Sequence, residues 1–134
     1  MSSRRMARRR AIDVLYQADV TERGPGEVLA ERDALQRTAP EYTHELVRGV
    51  VERVAEIDRL LGEHAEGWTV ARMPAVDRAI LRLAAYEILY RDDVPDAVAI
   101  NEAVEAAKEL STEASRGFVN GLLGKIAQRE EETA

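Results

Sequence analysis

Cysteine is absent from this 134-residue chain. That excludes disulfides, a thiolate nucleophile and every thiolate-ligated zinc or iron–sulfur site. Histidine occurs only at His44 and His64, outside any metal-ligand spacing. Aromatic residues make up 4% of the chain, with one phenylalanine and one tryptophan, and lysine occurs only twice, at Lys108 and Lys125. No apolar run reaches the roughly 20 residues that a membrane-spanning helix needs, and the N-terminus lacks the apolar segment of a secretory signal. A soluble, cytoplasmic protein is the expectation. No GxxxxGK[ST] phosphate loop, GxSxG elbow, HExxH pair or glycine-rich dinucleotide fingerprint occurs. Neighbouring carboxylates such as Asp92-Asp93 and Glu130-Glu131-Glu132 fall in a turn and a tail, where charge is ordinarily solvated. The chain is therefore expected to have no catalytic activity, cofactor or metal.

What is present is helical periodicity. Apolar residues make up 46% of the chain, enough for one packed core, so 1–134 is expected to be a single domain. Strand-like alternation is missing, while apolar residues recur at steps of three and four. Ala7, Ala11, Val14, Leu15 and Ala18 form a first stripe, which Gly24-Pro25 ends. A short amphipathic piece carries Val28, Leu29 and Leu35. Pro40 suits the first turn of the next helix, in which Leu46, Val47, Val50, Val51, Val54, Ile57 and Leu61 recur until Gly62 and Gly67 close it.

From Val76 to Tyr90 the apolar residues cover most of the helix circumference, so this helix is expected to be central and packed on several sides. Asp92-Asp93-Val94-Pro95 ends it. Ile100 to Leu110 and Phe118 to Ile126 define two more helices, and the acidic tail from about Arg129 to Ala134 is expected to be flexible. The fold class is all-α, a bundle of about six or seven helices with short loops.

Charge is unevenly spread. Residues 1–10 form a basic arm with Arg4, Arg5, Arg8, Arg9 and Arg10 and no acid; the net charge is −6, so the other 124 residues carry −11. On a helix, Arg4 and Arg8 lie one turn apart, as do Arg5 and Arg9, which makes two basic ridges. Guanidinium groups donate forked hydrogen bonds to phosphate and stack on bases. A solvated, frayed terminus is the plainer alternative. Tyr16 lies two turns beyond Arg9 and either extends this surface with an aromatic face for unpaired bases or plugs the core. Phe118 falls on the apolar stripe of the last helix, which favours core packing. Gly117, Gly121 and Gly124 each cost about 1 kcal/mol relative to alanine within a helix, so either neighbouring backbones or a ligand approach closely there. Arg116 and Lys125 add positive charge nearby. On the central helix Arg78 and Arg82, with Asp77 and Glu87, either reach solvent or rim a protein-binding face that Tyr86 and Tyr90 would suit.

Three stretches carry a resemblance: Arg-Arg-Met-Ala-Arg-Arg-Arg-Ala-Ile-Asp-Val-Leu-Tyr at 4–16, Val-Asp-Arg-Ala-Ile-Leu-Arg-Leu-Ala-Ala-Tyr-Glu-Ile-Leu at 76–89, and Val-Pro-Asp-Ala-Val-Ala-Ile-Asn-Glu-Ala-Val-Glu-Ala-Ala-Lys at 94–108, continued by Phe118-Val119-Asn120-Gly121-Leu122-Leu123. Together these stretches resemble the NusB family of bacterial transcription antitermination factors. The resemblance implies two packed helical subdomains, binding to boxA, a short single-stranded element in ribosomal RNA leaders, and pairing with the small-subunit ribosomal protein NusE. The pair then helps RNA polymerase resist termination, as part of an antitermination complex.

By position, the resemblance implies that the arm arginines and Tyr16 contact RNA, with Ser115, Arg116, Phe118 and Asn120 as a second part of that surface. It implies that Asp77 faces NusE; Arg82, Tyr86 and Glu87 are its neighbours on that face. Gly117 departs from the pattern where some relatives carry a basic residue before the phenylalanine, and Arg116 stands beside it. Related domains occur fused to ribosomal RNA cytosine methyltransferases. An RNA-targeting module of that kind is the alternative, although the stretch after Lys125 leaves no room for a catalytic domain. A self-associating helical scaffold is a third reading, and a homodimer that hides the arginines fits some relatives.

Overall fold

A computed structural model describes residues 3–133. Positions 1, 2 and 134, at the ends of the expected arm and tail, lie outside the described residues. Six α-helices follow one another: α1 Ser3–Val20, α2 Pro25–Leu35, α3 Glu41–His64, α4 Ala75–Tyr90, α5 Asp96–Leu110 and α6 Glu113–Thr133. A single 3-10 turn, Val70–Arg72, precedes α4, and no strand occurs among the described residues. No helix among them is long and apolar enough to cross a membrane.

Proline and glycine set most of the boundaries. Gly24 caps α2 with Pro25 at its first position, and Pro40, Pro74 and Pro95 occupy the N-cap positions of α3, α4 and α5. Two boundaries differ from the sequence expectation. Gly62 stays inside α3, whose backbone bonds continue until the Ala65 N–H closes on Leu61. The break falls at Gly67, which adopts the left-handed conformation (φ 79°) that glycine reaches without steric cost. The acidic stretch from Arg129 is helical to Thr133 instead of flexible. Its glutamates and arginine are good helix formers, and Arg129 reaches back to Glu63 at 2.6 Å.

Helices α1, α2 and α3 pack together, as do α4, α5 and α6, and α4 joins the two groups through α1 and α3. The wide apolar girth of α4 accounts for this: Ala79, Ile80, Leu81, Leu83, Ala84 and Ala85 are all buried. One close approach depends on glycine. The Tyr86 ring lies over Gly49 of α3 so tightly that a Cβ there would fall 2.1 Å from Tyr86 Cζ. The same ring meets Tyr90 at 5.7 Å between centroids.

Candidate nucleic-acid interface

The basic segment is no loose arm. From Ser3 onward it is helix α1, and each of its five arginines is tied to another part of the chain. Ala7 and Ala11 face the core, and Arg8 shares their side of the helix. Its guanidinium is buried, with Nε 3.0 Å from both oxygens of Glu87 on α4. The Tyr42 hydroxyl also donates to Glu87, and burial, then that hydrogen bond, pushes its phenol above the ordinary range. Arg4 and Arg91 stack over the Tyr42 ring at 4.1 and 5.1 Å. Cation–π contacts of this kind contribute about 0.5–2 kcal/mol each.

The other arginines face outward but are held. Arg4 donates to Asp93 at 2.8 Å. Arg91 donates to the same carboxylate at 3.1 Å, and the two hydrogen bonds hold Asp93 down at about 2. Arg5 donates to Glu102 of α5 at 3.0 Å. Arg9 pairs with Glu109 of α5, while its Nη2 is buried without a hydrogen-bond partner. Arg10 donates to the Arg37 carbonyl at 2.9 Å. Arg9 and Arg10 also line a groove of about 600 Å³ with Ile12, Asp13, Tyr16, Val76 and Leu110. Tyr16 is 40% exposed there, so its ring belongs to the groove and not to the core.

At the junction of α4, α5 and α6 lies Asp77, only 2% exposed. It accepts from Ser111 Oγ at 2.6 Å and from Ser115 Oγ at 2.7 Å. Ser115 is thus an anchor of the α5–α6 connection, and its backbone N–H is capped by Thr112 Oγ1 at 3.2 Å. Arg116 and Asn120 open onto a second groove, of about 670 Å³, between α5 and α6, shared with Asn101 and Val104. Phe118 is half-buried against Trp68, with ring centroids 6.5 Å apart.

The structure therefore separates the residues named from the sequence. Arg9, Arg10 and Tyr16 come together in one groove and Arg116 and Asn120 in another. Arg8, Ser115, Asp77 and Glu87 turn inward and bond to one another in two pairs. Arg82 is half-buried and held by Asp58 of α3 at 2.9 and 2.8 Å, and Tyr86 packs on α3 through Gly49. The helical periodicity carried no sign of Tyr42, Glu102 or Glu109, because their partners lie 34 or more residues away in sequence. Asp93 was visible only as turn charge. The one available signal was global: an acidic body facing a basic helix.

The six helices among the described residues, with a basic first helix and an exposed tyrosine lining one groove, define a class of protein, an all-helical domain with an arginine- and tyrosine-lined surface. Within that class the chain belongs to the NusB family, which matches residues 5–128. It is 57% identical over 130 residues to the transcription antitermination protein NusB of Saccharopolyspora erythraea, covering 95% of this chain and 88% of that protein. The NusB of Salinispora tropica is 51% identical, covering 96% of this chain and 97% of the relative. Among solved structures, Thermotoga maritima NusB superposes with a TM-score of 0.84 at 35% identity, covering 98% of this chain and 97% of that one. A structure of the antitermination factors NusB and NusE in complex with double-stranded RNA superposes with a TM-score of 0.81 at 30% identity, covering 96% of this chain and 98% of that one.

Proposed function

We propose that this chain is a cytoplasmic transcription antitermination factor, without enzymatic activity, that binds boxA-type single-stranded RNA of ribosomal RNA leaders together with NusE. In that role it joins the antitermination complex of RNA polymerase. The observation that carries the reading is the groove on α1, where Arg9, Arg10 and the exposed Tyr16 converge, in a chain of a family whose NusB–NusE pair has been seen with RNA.

The chemistry follows from the side chains. A guanidinium presents a planar fork that matches phosphate oxygens, and a half-exposed tyrosine offers a face to an unstacked base. RNA would exchange the carboxylates of Glu109, Glu102 and Asp93 for its own phosphates, so much of the positive charge is already oriented. Arg116 and Asn120 extend the surface onto α6. Arg8 and Ser115 act from behind it by fixing α1 and the start of α6. On the partner side, the half-exposed Arg82 and Tyr86 face NusE, with Asp77 and Glu87 supporting α4 from within. Identities of 57 and 51% to two transcription antitermination proteins support an antitermination factor over a methyltransferase module.

The test is a fluorescence-anisotropy titration of a boxA-like strand and a scrambled one, with and without NusE, repeated across salt concentrations. Neutralising about four phosphates gives a log–log salt slope of roughly −3 on single-stranded RNA. Selective binding that strengthens with NusE is expected. A slope near zero would remove the arginines from the interface.

A further inference from the structure

The stretch that ends α2 and leads into α3, residues 34–40, reads Ala-Leu-Gln-Arg-Thr-Ala-Pro and carries one charge, Arg37. Arg37 is exposed, and its guanidinium has no hydrogen-bond or ion-pair partner among the described residues. Its main-chain carbonyl accepts from Arg10 Nη2 at 2.9 Å. Arg10 has no carboxylate partner among the described residues either, whereas Arg4, Arg5, Arg8 and Arg9 each pair with one. The loop therefore brings a second uncompensated cation to the tip of Arg10, at the edge of the α1 groove. We propose that the α2–α3 loop is a further phosphate-binding edge of the RNA surface, with Arg37 taking a backbone phosphate beside the one that Arg10 holds. The inference rests on the RNA-binding reading above and extends it to a segment outside the residues named from the sequence.

The balance of charge singles out this place. Arg9 is matched by Glu109, and Asp13, in the groove wall, is matched by Arg32 at 2.5 Å. What remains unmatched is the charge of Arg10 and Arg37. Like charges brought together without a counter-ion repel, and an anion that joins them relieves the repulsion. A phosphate arriving at Arg9 has to displace Glu109. One arriving at Arg10 and Arg37 displaces no carboxylate.

The loop is also fixed before any ligand arrives. Asp33 Oδ1 accepts the Ala39 N–H at 2.9 Å, and Asp33 Oδ2 lies 2.9 Å from His44 Nε2 on α3. Ala39 is buried, and Pro40 takes the N-cap position of α3. Arg32 Nε donates to Gln17 Oε1 at 2.8 Å, which ties the end of α2 to α1. Binding then orders one side chain and leaves the backbone as it stands, which keeps the cost of association low. A contact of this kind holds the strand without reading its sequence.

The test uses the full chain and single-stranded RNA. Arg37→Ala removes the guanidinium and keeps the carbonyl that anchors Arg10, so the α1 groove stays as built and the variant should melt near the wild type. Arg53→Ala is the matched control: Arg53 is exposed, lacks a carboxylate partner among the described residues and stacks on Tyr90, about three turns along α3 from the loop. Anisotropy titrations of boxA-like and scrambled strands are repeated across salt concentrations. Arg37→Ala should weaken both strands by a similar factor, about threefold or more at low salt, and make the log–log salt slope shallower by about 0.7, the share of one phosphate. Arg37→Lys should recover most of the loss, and Arg53→Ala should change neither quantity. Wild-type affinity and slope in Arg37→Ala would overturn the proposal and leave RNA binding by the α1 groove standing. Equal losses in Arg37→Ala and Arg53→Ala would also overturn it, because net charge alone would then explain them. A weaker affinity for NusE in Arg37→Ala, with RNA affinity unchanged, would give the loop to the protein partner instead. No binding of either strand by the wild type would remove the RNA reading and the loop edge with it.

Discussion

Arg8 and Glu87 are bonded to each other in the interior, with Nε 3.0 Å from both carboxylate oxygens and side chains only 7% and 1% exposed. By position in the sequence they belong to opposite surfaces, one for RNA and one for a protein partner. In the fold they join α1 to α4. Breaking a buried pair from one side strands the other charge, which costs about 3–5 kcal/mol, whereas replacing both sides with apolar residues costs far less. Glu87→Leu should therefore unfold at markedly lower urea than the wild type, and Arg8→Met combined with Glu87→Leu should recover much of that loss. Additive losses in the double variant would show that the two groups are energetically independent.

The Asp77 carboxylate organises the α5–α6 connection. Asp77→Ala leaves the Ser111 and Ser115 hydroxyls without their acceptor in a largely buried place, a change that costs about 1–3 kcal/mol. Amide exchange over residues 111–116 should accelerate by more than it does in α3. Asp77→Arg forces an unpaired cation into the same space, so any loss of NusE binding by that variant is expected to accompany a lower melting temperature. Loss of binding at full stability would instead put Asp77 in direct contact with the partner.

Stability should fall at acid pH in a particular window. Hydrogen bonds from Arg4 and Arg91 hold Asp93 at about 2, below its ordinary 3.8. Glu109, Glu31 and Glu56 are also lowered, each chiefly by a hydrogen bond from an arginine. A carboxyl depressed in the folded state contributes stability above its unfolded value and loses it as pH falls through the folded one. The melting temperature should thus hold down to the ordinary carboxylate range and decline below it. Asp93→Asn should flatten the part of the decline between 3.8 and about 2. An unchanged profile in that variant would show that the Arg4–Asp93–Arg91 bridge contributes nothing to stability.

The same carboxylates compete with RNA. Glu109 pairs with Arg9 and is itself more than half exposed, so phosphate can take its place. Glu109→Gln is expected to tighten boxA-like RNA binding by a few-fold at low salt, with the difference shrinking as salt screens both. Weaker binding would mean that Glu109 orients Arg9 for the RNA.

The architecture was legible in the sequence because it is written in local periodicity. The central position of α4 follows from its apolar girth, and the proline-led starts of α2 to α5 follow from four prolines in helix-opening positions. The acidic composition of the tail points to flexibility, but its helix propensity carries α6 on to Thr133. The site was half legible. Arg9 and Tyr16 lie two turns apart on one face of α1, which spacing alone reveals, while Arg10 reaches the same groove from the side. That Arg8 points inward depends on Glu87, 79 residues away, and that Asp77 is a buried acceptor depends on two serines beyond α5. Spacing within a helix places residues on a face, but what that face meets is decided by tertiary packing.

The most direct measurement is the affinity of boxA-like and scrambled RNA for Arg10→Ala/Tyr16→Ala, two residues that line the α1 groove, alongside the melting temperature of the same variant. Selective binding should collapse toward the scrambled level while the fold melts close to the wild type. Wild-type affinity in that variant would contradict it, and RNA would have to bind elsewhere on the bundle.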